Sequence, residues 1–158
     1  MLTSRENPAS HHVTGSRLPD VELPCVGEGQ LNLLGHAQRH SLVICIFGSP
    51  CSCEEIGRLI GWTRCTPQLP RYGYRLVAVS HEPFAQQLTW ASLVPDWLIL
   101  SDTELLLARS LKLPTIVDDG VWRYEPITLL VRRERVVYAG AGSADRADEI
   151  LAVIARGG

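Results

Sequence analysis

The chain has 158 residues, 46% of them hydrophobic and 20% charged, with a formal net charge of -2, which suits one domain with a substantial core. Its basic residues are scattered rather than gathered into the stripe that phosphate neutralisation requires, so nucleic acid is not an expected partner. The first 20 residues are polar and no run approaches about 18 consecutive apolar residues, so neither a secretory leader nor a membrane span is expected and the cytoplasm is the expected compartment.

Residues 1–17 carry Ser, Asn, Pro, His and Thr without an apolar period, and are expected to form a mobile tail ahead of a single domain over 18–158. "LPDVELP" and "GQLNLLGH" read as short extended pieces. "SLVICIF", residues 41–47, is a continuous, partly β-branched apolar run, as in a strand buried on both faces near the centre of a sheet. A helix is expected over about 51–66, with Ile56, Leu59 and Ile60 on its apolar side and Glu54, Glu55 and Arg58 opposite, ended by Pro67 and Pro70. "YRLVAVS" reads as a second buried strand, "PFAQQLTWASLV" as a helix, "DWLILS" as a strand and "DTELLLARSLKL" as a helix. "ITLLVRR" and "RVVYAGAG" form a hairpin through Arg133 and Glu134, and "ADRADEILAVIARG" is a closing amphipathic helix. Strands alternating with helices, then a hairpin and a helix, predict an α/β fold with a central mixed sheet.

The chemistry gathers where the first buried strand meets its helix, in "FGSPCSCEE". Unpaired backbone N–H groups and the macrodipole make a helix N-terminus favourable for negative charge. Ser49 and Pro50 suit N-cap and first helical position, and Ser52 with Glu55 matches a capping box, so either choice puts Cys51 and Cys53 in or beside the first turn. Such a setting lowers a cysteine pKa from about 8.5 towards about 3.5–7.5 and supplies a thiolate at neutral pH, the species that attacks a peroxide or a disulfide. Glu54 and Glu55 push the other way, and an inert, partly buried cysteine pair is the plain alternative. In a reducing compartment five cysteines argue for redox or metal chemistry rather than a disulfide framework.

The layout resembles the thioredoxin-fold redoxins, specifically the peroxiredoxins of the alkyl hydroperoxide reductase and thiol-specific antioxidant group, over about residues 16–156. "LPDVELP…GQLNLLGH" is similar to their leading segment, "YRLVAVS" to the strand after their active-site helix, and "WLILSDTELLLARSLKL" to their "LSD…ARALGL" strand and helix. "CSCE" matches their Cys-Thr-x-Glu pattern with Ser for Thr, which places the family's peroxidatic cysteine at Cys51. Two features depart. The family's Pro-x-x-x-Thr/Ser-x-x-Cys loop would need Pro and Thr where Ile44 and Gly48 stand. Its arginine ahead of the later strand falls on Pro126, so Arg123 or Arg132 would have to substitute. Pro126 instead resembles the cis-proline that faces the redox cysteines in thioredoxin-like disulfide reductases, its alternative being an edge-strand or loop proline.

A second alignment sets "GWTRCTPQ" on the Gly-Cys-Thr-Pro-Gln site of peroxiredoxins with a long loop, making Cys65 the nucleophile and residues 50–64 loop. A helix through 53–65 would instead put Cys53 and Cys65 about 18 Å apart, beyond the roughly 4.4–6.8 Å between the Cα atoms of a disulfide. Cys25 and Cys45 read as packing residues. A zinc site from Cys51, Cys53 and Cys65 lacks a second close pair, so no metal is expected.

The resemblance implies a thiol peroxidase that needs no cofactor. Its nucleophile would be Cys51 or Cys53, with Cys65 the remaining catalytic candidate. Ser49, Pro50, Ser52, Glu54, Pro126, Thr128 and Arg123 would line the substrate site. A peroxide substrate, a cellular thiol or dithiol reductant and room for a homodimer follow from the same resemblance. The alternatives are a Cys51-x-Cys53 thiol-disulfide oxidoreductase, or a redoxin scaffold recruited to a specialised biosynthetic step.

Overall fold

A computed structural model describes residues 13–48, 53–141 and 146–157. A seven-stranded mixed sheet runs through it in the order β2-β1-β5-β4-β3-β8-β9. The strands are β1 (Glu22–Cys25), β2 (Gly29–Asn32), β3 (Ser41–Phe47), β4 (Tyr74–Ser80), β5 (Leu98–Ser101), β8 (Ile127–Arg132) and β9 (Arg135–Ala141). Strands β3, β4 and β5 pair in parallel, while β8 joins β3 antiparallel and β9 follows by a hairpin. Arg133 and Glu134 both take positive φ at that turn, as a two-residue hairpin requires.

Strand β3 is buried on both faces, which explains its unbroken apolar run. Leu42, Ile44 and Ile46 face a core shared with α1 (Leu33–Ala37) and α4 (Leu106–Leu111). Val43, Cys45 and Phe47 face a second core covered by α2 (Cys53–Cys65), α3 (Phe84–Ala91) and α5 (Arg146–Ala155). The sheet flanked by helices on both sides is the predicted architecture. No helix among the described residues is long and apolar enough to cross a membrane.

Three local expectations need correction, and one element was not foreseen. "GQLNLLGH" is not extended throughout: the Asn32 side chain accepts the Gly35 N–H at 2.7 Å and caps the single turn of α1. Pro67 and Pro70 do not end helical structure at once, because a 3-10 helix continues over Thr66–Tyr72 and stops at Gly73 with φ 78°. The expected tail is docked from Val13, whose side chain is fully buried, and Gly15, Ser16 and Leu18 bond to the backbone of β9 and its turn. A second hairpin, β6 (Thr115–Asp118) with β7 (Val121–Tyr124), stands apart as a two-stranded sheet turning at Asp119 and Gly120.

The interior also holds a histidine that predicts acid sensitivity. His36 in α1 is 6% exposed, its Nε2 has no partner, and His40 lies 4.9 Å away between ring centres. Burial first, then Arg75, His40 and Arg39, push its pKa down to about 4. The unfolded chain, with an ordinary value near 6.5, binds more protons between those two pH values, so this contribution is present above pH 6.5 and lost as pH falls towards 4. Wild type is expected to lose up to roughly 3 kcal/mol from this group on going from pH 7.5 to 4. Urea unfolding at both pH values should show a smaller loss in His36→Gln; an equal loss would remove His36 as the cause.

Candidate active site at the end of the central strand

Strand β3 delivers the chain to Gly48, and α2 begins at Cys53. Ser49, Pro50, Cys51 and Ser52 lie outside the described residues; Cys53 and Glu54 are the first two residues of α2. The parallel register Phe47↔Ser80 brings His81 alongside Gly48, and the antiparallel register Ile46↔Ile127 brings in Pro126 from the other side. A Cβ at Gly48 would sit 2.6 Å from the Tyr124 carbonyl oxygen and 3.6 Å from the Pro126 ring, so glycine is what lets this strand exit pass so close to neighbouring backbone. Pro126 therefore borders the strand exit. Its peptide bond is trans, since no cis bond occurs among the described residues, and the likeness to a cis-proline reductase site is withdrawn.

Beneath this exit lies a buried polar cluster. Arg58, on the second turn of α2 and 2% exposed, donates to the Ile46 carbonyl at 2.9 Å and to Glu55 Oε1 at 3.0 Å through Nη1. Through Nη2 it donates to Thr128 Oγ1 at 2.9 Å and to the Ile127 carbonyl at 3.5 Å. Its guanidinium lies 4.6 Å from the centre of the Phe47 ring. Glu55, 3% exposed, accepts the Gly48 N–H on Oε2 at 3.4 Å. Thr128 faces Cys45 across the β3–β8 ladder, so the expected Thr128 belongs to this cluster.

This arrangement corrects the expected faces of α2, except at Leu59, which is buried as expected. Ile56 and Ile60 are 44% and 51% exposed and border a groove of about 750 Å³ with Thr63, Trp90 and Leu93, whereas Glu55 and Arg58 are buried beside Leu59, Trp62 and Cys65. The signal lay in Trp62: the stripe 55-58-59-62-65 holds the largest apolar side chain of the helix, and a charged pair three residues apart on that stripe had to be buried with it. Of the two arginines expected to serve the site, Arg123 adjoins Tyr124, whose carbonyl packs on Gly48, and Arg132 lies away from the strand exit. Arg123 pairs with Asp118 across the β6–β7 hairpin, within electrostatic reach of His81. Arg132, at the far end of β8, reaches the Gly157 carbonyl.

The remaining thiols sit in unreactive surroundings. Cys45 is fully buried, and burial, partly offset by Arg58 and Thr128, pushes its pKa up to about 12. Cys65 ends α2, where its thiol donates to Asp148 Oδ1 of α5 at 3.5 Å; burial and that carboxylate push it up to about 11. Burial also raises the Cys25 pKa. Residues 53–65 are helical throughout, so the alignment that made residues 50–64 a loop before Cys65 is overturned. Among the described residues, no three metal-ligating side chains come together.

Neither a family model nor a curated sequence matches the chain. Solved structures do. Peroxidoxin BcpB from Mycobacterium tuberculosis superposes with a TM-score of 0.80 at 16% identity, over 93% of this chain and 98% of that one. The Xanthomonas campestris bacterioferritin comigratory protein, described by its alkyl peroxide reduction activity, matches at 0.77 and 21% identity over 100% and 99%. A peroxiredoxin Q from Xanthomonas campestris matches at 0.78 and 22% identity over 92% and 98%. Agreement of this extent at such low identity fixes architecture: the chain has the thioredoxin-like fold of the peroxiredoxins.

Proposed function

We propose that this protein is a thiol peroxidase whose nucleophile is the thiolate of Cys51 or Cys53. The observation that carries the reading is the start of a 13-residue helix at Cys53, at the carboxyl end of the central parallel strand, in a chain with the peroxiredoxin fold. A helix N-terminus stabilises a thiolate there, and the three thiols elsewhere in the described structure are buried.

The thiolate attacks the terminal oxygen of a hydroperoxide. An S–O bond forms, the O–O bond breaks, and the leaving oxygen departs as water or an alcohol after taking up a proton. The sulfur, oxidised by two electrons, is left as a sulfenic acid. The neighbouring cysteine of the Cys51-x-Cys53 pair displaces water from it to give a disulfide, which a cellular thiol or dithiol reduces. The small ring of such a disulfide favours ready reduction.

Stopped-flow tryptophan fluorescence of the reduced protein mixed with hydrogen peroxide tests this. Wild type should react far faster than free cysteine, either Cys51→Ser or Cys53→Ser should abolish the fast phase, and Cys65→Ser should leave the rate within about twofold. Oxidation no faster than that of free cysteine in every variant would overturn the proposal.

A further inference from the structure

The Glu55–Arg58 ion pair is buried where apolar side chains would pack, and a buried pair is weak support for stability compared with well-packed apolar residues of similar volume. Its presence calls for a reason beyond stability, and breaks in a local rule of this kind concentrate at functional sites. Its contacts supply the reason. Glu55 holds the Gly48 N–H and Arg58 the Ile46 carbonyl, on the strand side of residues 49–52. Both side chains spring from the first two turns of α2, on the helix side of the same four residues. Arg58 also reaches Thr128 Oγ1 and the Ile127 carbonyl, tying in the strand that carries Pro126.

We infer that the Glu55–Arg58 pair is the positioning element of the thiol site: it braces the end of β3 and the start of β8 against the first turns of α2, setting where the helix N-terminus points. This rests on the proposed thiol chemistry but gives the pair a role separable from it. Arg58 spends its hydrogen bonds on protein groups and is a positioning residue, not a substrate ligand. Without the brace, the start of α2 and the strand exit lose their fixed relation, and a thiolate at the helix N-terminus loses part of its stabilisation.

The test uses the full chain with Arg58→Lys, Arg58→Met and the double replacement Glu55→Leu with Arg58→Met, the last leaving no unpaired charge. Circular dichroism reports whether each is folded. Iodoacetamide labelling of the reduced protein across pH 5–10, read by peptide mass mapping, reports thiolate formation at Cys51 and Cys53 without any peroxide. In the folded double variant the labelling midpoint should move up by about a pH unit or more and the peroxide rate should fall at least tenfold, with Arg58→Lys intermediate. A folded double variant with both quantities within twofold of wild type would overturn the inference. If wild type reacts with peroxide no faster than free cysteine, the peroxidase reading fails while the labelling profile still decides the role of the pair.

Discussion

Glu55→Ala is expected to lower the unfolding free energy by about 3–5 kcal/mol, because it strands the Arg58 guanidinium in the core. The two partners are 2% and 4% exposed at their side chains, so solvent does little to screen the loss. Removing both charges together, as in Glu55→Leu with Arg58→Met, should return most of that stability, since desolvation no longer opposes folding. Urea unfolding at pH 7 measures all three proteins. A loss below about 1 kcal/mol in Glu55→Ala would put the pair in the class of weakly contributing surface pairs and contradict its burial.

Asp102→Ala should come second, at roughly 3–4 kcal/mol. The Asp102 carboxylate is 1% exposed, accepts the Leu106 and Leu107 N–H groups at 2.8 and 3.1 Å, and accepts the Tyr124 hydroxyl at 2.6 Å. Alanine removes the acceptor of the Leu106 and Leu107 N–H groups at the start of α4 and leaves the buried Tyr124 O–H without its acceptor. The same phenol accepts the Ala108 N–H at 3.1 Å, and desolvation with the Asp102 charge raises its pKa, so it stays protonated and cannot substitute as an anion. For a domain of this size the melting temperature should fall by about 10 °C, and Asp102→Asn, which keeps one acceptor, should fall less. Equal melting of the alanine variant and wild type would mean that water replaces the carboxylate. Because the Tyr124 backbone carbonyl packs against Gly48, this anchor also fixes one wall of the strand exit.

The central strands were legible because burial on both faces leaves only apolar, β-branched sequence, as in Val43, Ile44 and Ile46. The turn at Arg133 and Glu134 was legible because two strong apolar runs flank the short charged stretch Arg132 to Arg135. What escaped was structure without a buried face. Val117, Val121 and Trp122 of the second hairpin are 52%, 51% and 60% exposed, and no core pattern marks them, although Asp119-Gly120 is a turn dipeptide. The polarity of α2 is hard to read for a different reason: Ile56 and Ile60 mark the exposed side as apolar, while the Glu55–Arg58 pair is neutralised within the core beside Trp62. Cys51 and its flanking residues were placed by spacing alone and lie outside the described structure.

The docking of the first described residues has a consequence for how molecules meet one another. Strand β9 is the last of the sheet, and its outer side would otherwise offer unpaired backbone groups to any extended chain. Gly15 N–H bonds to the Val136 carbonyl at 2.7 Å, Val136 N–H to the Ser16 carbonyl at 2.9 Å, and Leu18 N–H to the Glu134 carbonyl at 2.9 Å. The segment thereby occupies the Glu134–Val136 end of the row on which a strand from a neighbouring molecule would add. Loss of the chain up to Leu18 would turn that end of the margin into an adhesive one, open to a strand from another copy.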